Sequence, residues 1–148
     1  MHTFRISTVI LFLSGMLAAF AGASSPNEYV KLEVRPVSAT MRPGTSGTIE
    51  LRFLPAEGIH VNVDPPVIFS LDSASTVSLK GKPAMTKDPN TGYLSTAVPV
   101  KQRLLLPAKL APGACTVRGA VTYFYCSDSE GWCNRQKEAV EFTIMVKP

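Results

Sequence analysis

Residues 114–146 read ACTVRGAVTYFYCSDSEGWCNRQKEAVEFTIMV, and the pattern of this stretch decides the fold. In its first part Cys115, Val117, Gly119, Val121 and Tyr123 share one face, with Arg118 and Cys126 on the other. At its far end Val140, Phe142, Ile144 and Val146 alternate with Glu141, Thr143, Met145 and Lys147. Period two is the repeat of a β-strand with one buried and one wet face. Between these runs Ser127, Asp128, Ser129 and Gly131 supply turn chemistry. The stretch predicts a strand over Ala114–Tyr125, a turn, and a strand resuming after Arg135. Cys126 and Cys133 then sit at the neck of a hairpin loop.

The same alternation recurs upstream. Val30, Leu32 and Val34 alternate with Lys31, Glu33 and Arg35, and Ile49, Leu51 and Phe53 with Glu50 and Arg52. Further strands are expected at Ile59–Val63, Val67–Leu71, Thr76–Leu79 and Thr96–Leu105. They are separated by turn signals such as Arg42-Pro43-Gly44, Asp64-Pro65-Pro66, Asp88-Pro89-Asn90-Thr91-Gly92 and Ala111-Pro112-Gly113. Pro99 and Pro36 mark expected edge strands or strand ends. No convincing helix is expected; residues near Leu106–Leu110 could make one turn at most, since Pro107 and Pro112 bracket them. About eight short strands with no helix and no internal repeat predict an all-β, immunoglobulin-like antiparallel β-sandwich. The widely spaced cysteine pair of antibody domains is missing.

The amino terminus sets the compartment. Met1–Arg5 is short and basic, residues 6–22 are apolar with small side chains, and Ala21-Gly22-Ala23 offers a cleavage site before Ser24. This order is that of a secretory signal peptide over residues 1–23, leaving one domain over 24–148. The competing reading is an uncleaved anchor, at the lower limit of length for a span. No later apolar segment is long enough to cross a bilayer, so no membrane association is expected after cleavage. The expected location is periplasmic or secreted.

Composition excludes several functions. The chain has 148 residues, 45% of them hydrophobic, and a formal net charge of +4. It is too short for a TIM barrel or a two-domain α/β enzyme. The basic residues are scattered, with no cationic stripe interleaved with aromatics, so nucleic acid is not an expected partner. Residues 24–148 hold one histidine, His60, with no G-x-S-x-G and no phosphate-binding glycine loop, which argues against hydrolase or kinase chemistry. A metal site from Cys126, Cys133 and His60 matches no zinc pattern, and no metal is expected.

Chemistry therefore rests on three cysteines: Cys115, Cys126 and Cys133. Cys115 reads as a small core residue. Adjacent antiparallel strands lie about 5 Å apart, so a Cys126–Cys133 bridge is permitted. Closing so short a loop stabilises by only about 2.5 kcal/mol in the chain-entropy account, and the polar loop sets the sulfurs near solvent. Such a disulfide is either a plain staple or one that partner thiols attack. Spacing leaves both open.

The run from Gly113 to Val146 resembles the N-terminal periplasmic domain of DsbD-type thiol:disulfide interchange proteins, through its order of strand, cysteine, acidic/glycine loop, aromatic, cysteine and strand. Leu51–Pro66 (LRFLPAEGIHVNVDPP) extends the resemblance weakly. It implies an immunoglobulin-like fold carrying a redox pair, Cys126 and Cys133, with Cys133 as attacker and Cys126 as resolver. It implies an electron relay between thioredoxin-fold partners by transient mixed disulfide, oxidoreductase-type chemistry that needs no cofactor because sulfur carries the electrons. It also implies a cap loop, which by order along the chain is Met85–Leu94 with Tyr93 as the lid aromatic. Departures are Asn134-Arg135 where the family has prolines, a longer loop, and His60 at the position of a family tyrosine. Candidate modulators are His60, Tyr93, Trp132 and Arg135; Trp132 reads either as a partner-contacting aromatic at the loop tip or as a ring folded back over the disulfide, the second favoured because exposed tryptophan is uncommon. The alternative is a secreted immunoglobulin-like binding or structural domain with a static disulfide.

Overall fold

The alternating stretches form nine strands in a computed structural model that describes residues 27–148. The expected signal peptide at 1–23 lies outside the described residues. In chain order the strands are β1 (Val30–Pro36), β2 (Thr40–Met41), β3 (Ser46–Pro55), β4 (Ile59–Val61), β5 (Ile68–Leu71), β6 (Ser78–Ala84), β7 (Val100–Leu105), β8 (Gly113–Ser127) and β9 (Trp132–Val146). Among the described residues no helix forms. One sheet runs β1-β3-β7-β6 and the other β2-β9-β8-β4, with β5 paired to β8 as well. This is the all-β sandwich that the alternation predicts.

Three details depart from that expectation. β2, which two residues are too few to betray, pairs parallel to β9. The strand expected at Thr96–Leu105 begins only at Val100, so Pro99 precedes it, and β7 is internal between β3 and β6 rather than an edge. The strand expected at Thr76–Leu79 is displaced to Ser78–Ala84, an edge strand whose register shifts between Lys80 and Ala84, where Gly81 takes φ 73°. An edge tolerates Pro83, whose missing N–H would break an inner ladder. Pro36 ends the edge strand β1, as its chemistry predicts.

The core lies between the sheets. Ile49, Leu51 and Leu104 from one sheet meet Val117, Val121, Tyr123 and Ile144 from the other, all buried. Phe53 packs edge-on against Tyr123 with ring centroids 5.1 Å apart. The Tyr123 hydroxyl takes a hydrogen bond from Asn27 Nδ2 at 3.1 Å and donates to Glu138 Oε2 at 3.2 Å. Burying a phenol this deep requires such partners.

β5 pairs with β8 so closely at Gly119 that an added Cβ would strike the Ser70 carbonyl. Gly119→Ala should cost about 1–3 kcal/mol in urea unfolding, because backbone rather than a movable side chain must yield. Burial holds the Glu138 carboxyl above its ordinary 4.5, partly offset by the Tyr123 hydrogen bond. Its folded pKa is raised, so its contribution to stability is full below the ordinary pKa and is lost as pH rises through the raised one. Glu138→Gln, which keeps an acceptor for Tyr123, should flatten that decline in unfolding midpoints measured from about pH 4 to 7.

Candidate functional site

β8 and β9 pair along all 15 residues of each strand, and the register sets Cys126 directly opposite Cys133. Four residues, Asp128 to Gly131, close the ribbon; Gly131 takes φ 71° and donates its N–H to the Ser127 carbonyl at 2.9 Å. Glycine adopts this left-handed conformation without steric cost. At the neck the two cysteines form a disulfide with Cα atoms 4.1 Å apart. That separation is close to a non-hydrogen-bonded antiparallel pair, whose side chains approach nearest.

The two sulfurs stand in different surroundings. Cys126 is 5% exposed, yet it lies outside the hydrophobic cluster between the sheets. Cys133 is exposed. The difference follows from position: β8 is an inner strand and β9, at this end, has only β8 beside it. On the other flank of β8, His60 of β4 pairs with Cys126. One cross-strand row therefore reads His60, Cys126, Cys133.

A loop packs over the His60 end of this row. Lys87 bridges Leu94, Asp88 N–H donates to the Tyr93 carbonyl at 2.8 Å, and Ser95 N–H donates to the Thr86 carbonyl at 2.9 Å. Asp88 caps the turn by accepting the Asn90 and Thr91 N–H groups, the expected role of Asp in an Asx turn. Leu94 is buried and its N–H donates to the Val61 carbonyl, which ties the loop to β4. Tyr93 consequently lies flat on His60, ring centroids 3.4 Å apart and planes 15° apart. Its hydroxyl donates to Asp128 Oδ2 at 2.8 Å, and His60 Nδ1 stands 3.7 Å from the same oxygen. The hydrogen bond to Asp128, then burial, raise the Tyr93 pKa. A shallow depression of about 400 Å³ opens here, lined by both cysteines with His60, Asn62, Lys87 and Tyr93 among its walls.

The structure brings His60 and Tyr93 to the sulfurs. Arg135 is exposed, opposite Phe124, one pair further along the cysteines' face. Trp132 departs from expectation. It folds back, but successive strand residues face opposite ways, so its ring leaves from the ribbon's other face. There it packs against Tyr29 and Tyr125 at 5.2 and 5.8 Å, with its indole N–H on Glu130. Glu130 is thereby turned away from the disulfide. Cys115 is a free thiol, half-buried against the core, 3.7 Å from Thr76 Oγ1. Among the described residues no group of three or more His, Cys, Asp or Glu is arranged to hold a metal ion.

Two contacts escaped the sequence reading. Asn62 Nδ2 donates to Cys126 Sγ at 3.3 Å, and Lys87 brings a cation to the depression. Alternation from His60 puts Asn62 on the same face, which was the available signal; nothing local marks Lys87.

No protein-family model and no characterised protein sequence matches the chain. Among solved structures it is similar to the reduced N-terminal domain of DsbD from Neisseria meningitidis, at 18% identity over 77% of this chain and 83% of that one, with a TM-score of 0.34. It is also similar to AggA, the major subunit of aggregative adherence fimbriae type I from Escherichia coli, at 10% identity over 84% and 99%, with a TM-score of 0.37. Both likenesses are weak.

Tyr93, stacked on His60, walls one side of the depression that both sulfurs line, and so narrows one approach to the bridge. Tyr93→Ala should speed disulfide reduction by dithiothreitol severalfold, and Tyr93→Phe, which loses only the Asp128 hydrogen bond, by less. Both rates follow from quenched thiol counts.

Proposed function

We propose that this chain is a thiol–disulfide exchange module that relays reducing equivalents between thioredoxin-fold partners through Cys126 and Cys133. The observation that carries this reading is the unequal setting of the two sulfurs: an exposed Cys133 bonded to a Cys126 that is 5% exposed. A second consideration supports it. The bridge joins residues already held opposite by a ladder of 15-residue strands, so it adds little as a staple. The leader expected at 1–23 and the disulfide suit an oxidising extracytoplasmic compartment.

The chemistry runs as two exchanges. A donor thiolate attacks the Cys133 sulfur; the donor–Cys133 bond forms, the Cys126–Cys133 bond breaks, and the electron pair leaves on Cys126. The donor's second thiolate attacks the donor's own bridged sulfur and releases Cys133 as thiolate. The donor is now a disulfide, and the pair has gained two electrons. Cys133 next attacks the disulfide of an acceptor. Cys126 then attacks Cys133, restoring the internal bridge and releasing the acceptor with both sulfurs reduced. The unequal exposure of the two sulfurs supports this division of labour, because a partner sulfur in line with the bond reaches the exposed end first.

The expected outcome is a mixed disulfide between reduced Cys126→Ser protein and an oxidised periplasmic thioredoxin-fold domain, formed through Cys133 and reversed by dithiothreitol. Cys115→Ser should leave it unchanged and Cys133→Ser should abolish it. Non-reducing electrophoresis with peptide mapping checks this. A reduction potential above about −300 mV should accompany it. A lower potential with no trapped complex would instead fit a static staple in a binding domain.

A further inference from the structure

We propose that Asn62 serves the exchange directly, by holding Cys126 Sγ as a thiolate when the bridge opens. This rests on the exchange reading above and assigns its leaving-group site. Asn62 follows β4, and its own N–H donates to the Phe124 carbonyl at 2.9 Å, which fixes the residue against β8. Its side chain then returns Nδ2 to within 3.3 Å of Cys126 Sγ. A bonded sulfur presents only lone pairs, so the amide must offer its donor rather than its oxygen. The oxygen bears the consequence: Oδ1 is buried and finds no hydrogen-bond partner among the described residues. An unsatisfied buried acceptor is unfavourable, and native proteins leave few of them. Here the amide is oriented for the sulfur at the expense of its own other half.

The need arises from burial. When a donor thiolate takes Cys133, the electron pair of the broken bond passes to Cys126 Sγ, whose residue is 5% exposed. Few water molecules reach it there, and burial disfavours a thiolate. A hydrogen bond to the charged form works the other way, lowering the leaving group's basicity and speeding its departure. Other ionisable groups frame the same depression: His60 from β4, Asp64 just beyond it, Lys87 and Tyr93 from the covering loop, and Asp128 from the hairpin. His60 and Tyr93 are engaged with Asp128. Asn62 is the side chain whose donor reaches the sulfur itself.

The test makes Cys126 the sole thiol, by Cys115→Ser with Cys133→Ser, and follows its alkylation by iodoacetamide against pH. Adding Asn62→Ala, or Asn62→Leu where alanine disturbs folding, should raise the midpoint by about one pH unit. In the chain with all three cysteines the same Asn62 substitutions should slow reduction by dithiothreitol about threefold. That sign separates this role from a merely structural one, since loosening the cover would speed reduction. An unchanged midpoint, or faster reduction in both variants, overturns the assignment. Neither measurement uses a protein partner, so failure to trap a thioredoxin-fold domain and failure of Asn62 to act are distinguishable.

Discussion

The β8–β9 ladder is the constraint on which the site depends. It holds two strands in one register from the sandwich to the hairpin tip, and so sets Cys126 against Cys133 without help from the bond between them. Side chains alternate, so one register also sorts everything else near the tip. Tyr123 and Tyr125 face the core, Trp132 joins them on that side, and both cysteines face outward. A slip of one residue would send the sulfurs into the core and the tyrosines into water. The core that stabilises the sandwich therefore also fixes where the sulfurs point.

A second constraint comes from β4. By pairing with the last residues of β8, it delivers His60 beside Cys126 and gives the covering loop something to stand on. The loop brings Tyr93 over His60, and the hairpin supplies the acceptor for its hydroxyl, Asp128. The cover is anchored at its base by the buried Leu94 and held at its tip by polar contacts. Contacts of this kind are individually weak and open locally at modest cost in free energy.

Much of this was legible in the chain itself. Strict alternation at Val30–Val34, Ile49–Phe53 and Val140–Val146 located three strands, because a sheet with one wet face writes period two into its sequence. Turn residues located most boundaries. Counting from Cys115 along β8 separated it from Cys126 and set the latter on the outer face. Where the reading failed, the cause was a relation between distant residues. The central place of β7 depends on β3 and β6, which no property of Thr96–Leu105 encodes. The rarity of exposed tryptophan points to a Trp132 ring that folds back, but not to which face it covers, and adjacency to Cys133 on a strand means the opposite one. Lys87 reaches the depression only because Leu94 anchors its loop to Val61. Asn62 was within reach of parity counting from His60, but its meeting with Cys126 needs the β4–β8 register.

One feature bears on how such a module would work in company. Both sulfurs lie on the outer face but only Cys133 is exposed, so the donor and the acceptor of the proposed relay would have to call at the same door. In that reading they would not be seated together, and electrons would not flow straight through from one to the other. The chain would instead alternate visitors, storing a pair of electrons between visits. Crowding by either class of partner would then slow the traffic of the other.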